Sequence, residues 1–292
     1  MYYVVYGLLY AVSLLPLRVL FLLSSAAYFI LFYITGYRKK VVLDNLAIAF
    51  PEKTAKERKK IAKQFYLNFT DSFIESIKAI SISRKELEKR ALTDFRCLDE
   101  LIEKGKSINL MAAHQFNWEF ANLVCGLKLK TNFVGIYQPI GSKIFNRIFY
   151  KSRQRFGTIL VSTREFKSRM HRIFNEQYVL ALAADQNPTN KPNAFWMQFF
   201  GKPVPFIPGP AKGAVKNNLG VVFVVFRKIK RGYYSFDASL IAENASACTP
   251  EQLTMMYRDV VMDTVLKDPA NYLWSHRRWR HEWKKGYNPV LD

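Results

Sequence analysis

Cysteine is scarce in this chain. Its 292 residues hold three, Cys97, Cys125 and Cys248, isolated and without CxxC spacing. That pattern excludes a disulfide framework and a structural zinc site, and it fits a reducing compartment with buried thiols. Histidine occurs four times, with no HExxH motif and no Cys/His cluster, so the sequence calls for no metal. Acidic residues are outnumbered, 23 Asp+Glu against 44 Lys+Arg, for a formal net charge of +21. Such a balance implies a polyanionic partner, either nucleic acid or an anionic membrane. Zinc-finger, RNP and helix-turn-helix patterns are missing, which argues against nucleic acid. Repeats and low-complexity linkers are missing too, so the chain reads as one large domain or one domain with a small appendage.

What the chain does have begins at residue 1. Within MYYVVYGLLYAVSLLPLRVLFLLSSAAYFILFYIT, residues 1–35, the only charged side chain is Arg18. A bilayer crossing needs about 20 apolar residues. Pro16 and Arg18 divide the run, leaving Val19 to Thr35 as the better spanning candidate. The first half could lie in the interface, or both halves could form one kinked helix. A cleaved signal fits poorly, because no basic region precedes the apolar run and no small-x-small site ends it. The following YRKKVV is strongly positive, which places the remainder of the chain in the cytoplasm. We therefore expect a membrane anchor over 1–37 and a cytoplasmic domain over 38–292. The basic surface then faces anionic headgroups, where each cation adds about 1 kcal/mol of attraction.

Residues 38–92 read as helical. Thr54 and Glu57 form a capping box ahead of a helix carrying Ile61, Phe65, Phe69, Phe73 and Ile77 at intervals of four. ISRKELEKRA starts a further short helix. From 93 on, an α/β pattern takes over. Apolar runs at 107–113, 131–138, 158–162 and 178–185 alternate with helical stretches, and 221–241 reads as a hairpin around Lys230-Arg231-Gly232. The expected fold is an α/β domain with a mostly parallel sheet flanked by helices, preceded by an anchoring helix and a helical region.

In open sheets of this kind ligands lie beyond the carboxyl ends of the strands. His114 follows one predicted strand and Asp185 ends another. A histidine near neutral pKa suits a general base, and it needs a partner that fixes its second nitrogen. Glu119, in AAHQFNWEF, can supply one from the first turn of the next helix, leaving a substrate hydroxyl as nucleophile. Spacing alone favours the plainer reading, a helix-capping histidine and a solvated glutamate.

HQFNWE resembles the H-x4-D/E motif of the glycerolipid and lipid A acyltransferase superfamily. The chain resembles most the bacterial lipid A late acyltransferase family of lauroyl and myristoyl transferases, over nearly its whole length. The blocks that carry the resemblance are YRKKVVLDNLAIAFPEKTAKERKKIAKQFYLNF, YQPIGSKIFNRIFYKSRQRFG, ALAADQNP, FFGKPVPFIPGPAKGA and YLWSHRRWR, in that order. The resemblance implies a glycerolipid acyltransferase-like fold with His114 as general base and Glu119 as its partner. Arg153 and Arg147 fall where the family carries a basic residue near acceptor phosphate or donor groups. Arg153 is preferred, matching the Arg that opens the R-x-R-x-G ending; a solvated basic helix is the alternative for either. Asp185 matches the Asp of the Asp-Gln block, an anchor from behind the site that is also counted with the substrate-binding residues.

The implied reaction moves a fatty acyl chain from acyl carrier protein or acyl-CoA, a co-substrate rather than a bound cofactor, to a hydroxyl of an anionic lipid A precursor. It takes place on the cytoplasmic side of the inner membrane, without metal or nucleic acid. A lysophospholipid or aminolipid O-acyltransferase uses the same machinery; a lipid-binding scaffold is the non-enzymatic alternative. FFGKPVPFIPGP is expected to form a rigid loop near the entrance whose aromatics meet an acyl chain. SHRRWRHEW is expected at the headgroup layer, with His171 and His276 peripheral. YQP in place of an arginine before Pro139, and the long polar DQNPTNKPNAF, depart from the family pattern and bear on acceptor identity.

Overall fold

Pro16 breaks the apolar N-terminus. Its ring holds φ at −56° and supplies no N–H, so helix α1 (Tyr2–Leu14) ends before it and α2 (Leu17–Phe29) begins after it. A π-helical turn, Ile30–Ile34, continues α2. Leu17–Ile34 is the one helix among the described residues long and apolar enough to cross a membrane, with mean hydropathy 2.0 over 18 residues. The computed structural model describes residues 1–292, the side chains of Lys167 and Arg172 excepted.

Helix α3 (Lys39–Ala49) stops ahead of Pro51, and α4 (Ala55–Lys78) starts on the capping box. Glu57 N donates to Thr54 Oγ1 at 3.3 Å, and Thr54 N donates to the Glu57 carboxylate at 2.7 Å. Its apolar stripe does not stay buried. Phe65 is enclosed, whereas Phe73 is 59% exposed, and Asp71, Glu75 and Lys78 are buried in its C-terminal half. Helix α5 (Arg84–Arg90) is capped by Ser83. It runs directly into a strand, β1 (Ala91–Asp94), at a place where the sequence pattern points only to helix.

The remaining elements are α6 (Arg96–Glu103), β2 (Ile108–Ala112), α7 (Trp118–Lys128), β3 (Asn132–Tyr137), α8 (Lys143–Arg153), β4 (Ile159–Ser162), α9 (Phe166–Ile173) and β5 (Tyr178–Ala183), then β6 (Phe195–Phe199), β7 (Lys202–Phe206), α10 (Gly209–Lys216), β8 (Gly220–Lys230), β9 (Tyr233–Ala242), α11 (Pro250–Lys267) and β10 (Val290–Leu291). From α6 to β5 they alternate as expected, and beyond β5 they do not. Seven strands form one sheet in the order β1-β9-β8-β2-β5-β3-β4. Every neighbouring pair is parallel except the β8–β9 hairpin. Apolar clusters cover both faces, one including Phe65, Phe206 and Trp274 and the other Leu98, Phe120 and Phe236. Two-sided burial is why the central strands read as unbroken apolar runs.

The proline-rich stretch is not an entrance loop. It forms the β6–β7 hairpin of a second, three-stranded sheet with β10. Phe200 and Gly201, at φ 51° and 72°, make a two-residue turn with both residues left-handed, the geometry whose twist suits a hairpin. Pro203 and Pro205 are tolerated because β7 is an edge strand, pairing only with β6. Phe199 and Phe206 are fully buried in the core, where no acyl chain reaches them.

Candidate active site

The site is assembled by strand register. β2 and β5 are parallel neighbours with Ala112 opposite Ala183, so the residues two positions further on, His114 and Asp185, leave the sheet side by side. Asp185 takes hold of His114 twice. Its Oδ2 accepts the His114 backbone N–H at 3.0 Å, and its Oδ1 lies 2.6 Å from Nδ1. The Asp185 side chain is 1% exposed and that of His114 33%. The carboxylate is therefore sealed behind the ring, and Nε2 is left for whatever enters the cavity.

Burial pulls the imidazole pKa down, but the Asp185 charge and its hydrogen bond outweigh it, so His114 titrates above the ordinary histidine value. Burial pushes Asp185 the other way; His114 and, behind it, Arg278 hold it below the usual carboxylate range.

Glu119 sits in the first turn of α7, which Asn117 caps by accepting from Phe120 N at 3.2 Å. It does not reach His114. Arg153, the last residue of α8, donates Nε to both Glu119 oxygens at 3.2 and 3.1 Å and Nη2 to Oε1 at 2.8 Å. The guanidinium also stacks over Trp118 at 4.3 Å. The expected His114–Glu119 pairing is thus replaced by two separate pairs. Asp185 can reach both the N–H and Nδ1 of His114 because the register aligns them, while Glu119 is saturated by a fork of donors. Burial raises the Glu119 carboxyl against the opposing pull of Arg153.

Close packing keeps Arg153 in place. Asn122 on α7 donates to Arg153 O at 2.9 Å. At Gly126 a Cβ would stand 2.5 Å from Thr158 Oγ1 and 2.9 Å from Phe156 O, so only glycine allows α7 this near the segment after α8.

Residues that sequence reasoning left out support the loop. Tyr257 OH accepts from Ala184 N at 3.1 Å and donates to Ala112 O at 2.9 Å, pinning the ends of both strands. Asn271 Oδ1 accepts from Phe116 N at 2.9 Å, and Leu273 N donates to His114 O at 3.1 Å. The YLWSHRRWR segment therefore runs beside the site. Trp274 and Arg278 are buried, and Arg278 donates to Asn187 Oδ1 and Pro205 O, both at 2.8 Å. His276 is not peripheral: its Nε2 accepts from Asn187 N at 3.3 Å, and burial together with Arg278 lowers its pKa to about 4, keeping it neutral. In the sequence this tail was marked by its aromatic and basic make-up and by the resemblance of YLWSHRRWR to a family block, neither of which pointed to these contacts.

Two cavities meet at His114. The inner one, about 380 Å³, runs beneath α7 along Leu110, Cys125, Phe133, Gly135, Leu160 and Phe226. The outer one, about 330 Å³, lies between α4 and α8, walled by Phe69, Phe73 and Phe149. His114, Trp118, Ile140 and Arg153 line both. Arg147 lines neither: it is exposed and stacks over Tyr2 of α1 at 4.4 Å, so the structure removes it from the site. Asp185, expected on the substrate side, is sealed behind the histidine and has no surface to offer a ligand. No group of three or more His, Cys, Asp or Glu that could hold a metal ion occurs among the described residues.

A histidine oriented by a carboxylate at the strand ends of an α/β sheet, beside a cavity lined largely by apolar side chains, is an arrangement suited to general-base chemistry. Residues 1–281 match the family model of bacterial lipid A biosynthesis acyltransferases. The chain belongs to that family: it is a membrane-related enzyme, an acyltransferase acting on a lipid substrate. Comparison with curated proteins gives no match.

Proposed function

We propose that the enzyme transfers a fatty acyl chain from a thioester donor, acyl carrier protein or coenzyme A, to a hydroxyl of a lipid A precursor on the cytoplasmic face of the inner membrane. The observation that carries this reading is His114 standing where the inner and outer cavities join, with only its Nδ1 engaged by Asp185. Donor chain and acceptor can then approach one base from two sides.

His114 Nε2 takes the proton of the acceptor hydroxyl, and Asp185 stabilises the imidazolium that results. The acceptor oxygen attacks the thioester carbonyl. The C–O bond forms, the tetrahedral oxyanion collapses, the C–S bond breaks, and the leaving thiolate takes the proton back from Nε2. Arg153 lines both cavities and offers positive charge to phosphate or to the developing oxyanion. Glu119 holds that guanidinium in position. The apolar inner cavity suits an alkyl chain, and the chain's excess of positive charge suits both an anionic acceptor and an acidic carrier protein.

The test is a transfer assay on membranes carrying the protein or its His114→Ala variant, with acyl carrier protein and coenzyme A thioesters. Under-acylated lipid A precursor, lysophospholipids and lyso-aminolipids are offered as acceptors. Transfer to the precursor, lost in the variant, is the expected result. Transfer to lysolipids alone moves the enzyme to another acceptor class with the same chemistry. Undiminished transfer by the variant ends the base assignment.

A further inference from the structure

We infer that α2 lies in the plane of an anionic membrane surface and does not cross the bilayer, seating the mouth of the outer cavity against lipid. Membrane association comes with the family; the way the chain sits on the membrane does not.

The first reason is what travels with α2. It runs antiparallel along α4 for its whole length. Lys78 Nζ donates to Leu15 O at 3.3 Å at one end, Ser24 Oγ donates to Asp71 at 2.6 Å in the middle, and the Phe32 and Tyr66 rings meet at 5.4 Å at the other. An upright α2 would draw α4 into hydrocarbon beside it.

The second reason is charge at the midpoint. The turn between β8 and β9 reaches the centre of α2, where Arg231 Nη2 donates to Phe21 O and to Ser25 Oγ, both at 3.1 Å. Arg231 and Lys228 share Asp71, at 2.6 and 3.0 Å. The Arg231 side chain is 33% exposed, and Lys230 beside it is exposed. Upright, this open cationic turn would lie at the bilayer midplane, where such charges are costly. In-plane, it lies level with anionic headgroups, which attract it.

The third reason is one-sided burial. Leu20, Phe21, Ser24 and Phe32 are covered by protein, whereas Leu22, Phe29 and Ile34 are 71%, 54% and 68% exposed. With protein along one long face, α2 can present its bare apolar face to the boundary between headgroups and acyl chains when it lies in the plane. The outer cavity lies between α4 and α8, the helices on which α2 and α1 rest, and its rim residues Phe73 and Ile140 are themselves exposed. The same seating turns that rim toward lipid, so an acceptor reaches His114 without leaving the membrane surface.

The test reads sidedness and depth, and neither readout uses catalysis, so its failure is distinct from a failure of the acyl-transfer reading. Cysteines are introduced one at a time at Leu15, between α1 and α2, and at Lys285 near the C-terminal end, in the full chain with Cys97 and Cys248 replaced by Ala. A membrane-impermeant maleimide is applied to spheroplasts and to inverted inner-membrane vesicles. Both positions should be labelled in inverted vesicles and neither in spheroplasts; labelling at position 15 in spheroplasts overturns the inference. Spin labels at Val19, Ala26 and Tyr33, on one exposed stripe, then report depth in phosphatidylglycerol-containing vesicles. A shared shallow depth supports the in-plane helix. A label at position 26 about 15 Å deeper than both ends means that α2 crosses, and the inference fails.

Discussion

His114 and Glu119 belong to one short motif, yet they serve two pairs of opposite character. His114–Asp185 is open on one side: the carboxylate is sealed and the imidazole keeps a third of its side-chain surface. Glu119–Arg153 is closed: both side chains are nearly buried, at 2% and 9% exposure, and the fork of donors saturates the carboxylate. The first arrangement leaves a nitrogen for chemistry. The second fixes a cation at the junction of two cavities. The proposed base and the cation beside it therefore draw on the same five-residue spacing, each pair completed by a residue from elsewhere in the chain.

The comparison breaks most sharply at the base. His114→Ala should lower the transfer rate by about 10⁴-fold while leaving near-normal stability, read from turnover and thermal melts of the same preparation. Asp185→Asn should cost about 10²-fold, and it carries a pH signature. The base works when neutral, so the rate of the parent enzyme rises with pH through a His114 pKa held above the ordinary value. Removing the carboxylate releases that hold, and the midpoint of the pH–rate profile should move down. An unmoved midpoint would mean that another group sets the profile.

The closed pair should answer in stability first. Arg153→Ala leaves Glu119 charged and buried, for a loss of about 3–5 kcal/mol in denaturant unfolding. Replacing both by Met should recover much of that loss without restoring activity. Recovery of activity as well would remove Arg153 from the chemistry.

A third buried carboxyl tests the loop from beneath. Glu75 on α4 accepts from Asn117 Nδ2 at 3.0 Å and from Tyr234 OH at 2.8 Å, under the motif itself. Burial raises its pKa to about 8, against the pull of the Tyr234 hydrogen bond. Between the ordinary glutamate value and pH 8 the folded chain keeps a proton that the unfolded chain has released. Stability should therefore fall as pH rises across that window, by up to about 1.4 kcal/mol per pH unit. Glu75→Gln should flatten the slope, so that its stability gains on the parent as pH rises. The smallest effect is expected at Arg147, where substitution by Ala should change transfer by less than about twofold.

Much of the fold was legible because it rests on local pattern. Apolar runs gave β2 to β5 and the β8–β9 hairpin, and the Thr54–Glu57 box marked the start of α4 within a residue. The misses have tertiary causes. β1 is four residues that become a strand only by lying beside β9. β7 hides behind two prolines that an edge strand can afford. At the site, the positions of His114 and Asp185 beyond strand ends could be read, but their pairing could not, since register between β2 and β5 leaves no mark in either segment. Arg153 was singled out by its motif and Arg147 by proximity to it. Only the turn of α8 separates one, against Glu119, from the other, against Tyr2.

The His114–Asp185 pair joins positions 71 residues apart, and β5 enters the sheet between β2 and β3, both of which precede it in the chain. Non-local pairing of this kind forms slowly compared with helices and turns. During synthesis the histidine emerges long before its carboxylate, as an unanchored ring with an ordinary proton affinity. The pair is completed only when β5 fills the gap between β2 and β3. With His114 as the base, catalytic competence is then expected to be a late event of folding, since a chain that has not yet made β5 holds the histidine without its carboxylate.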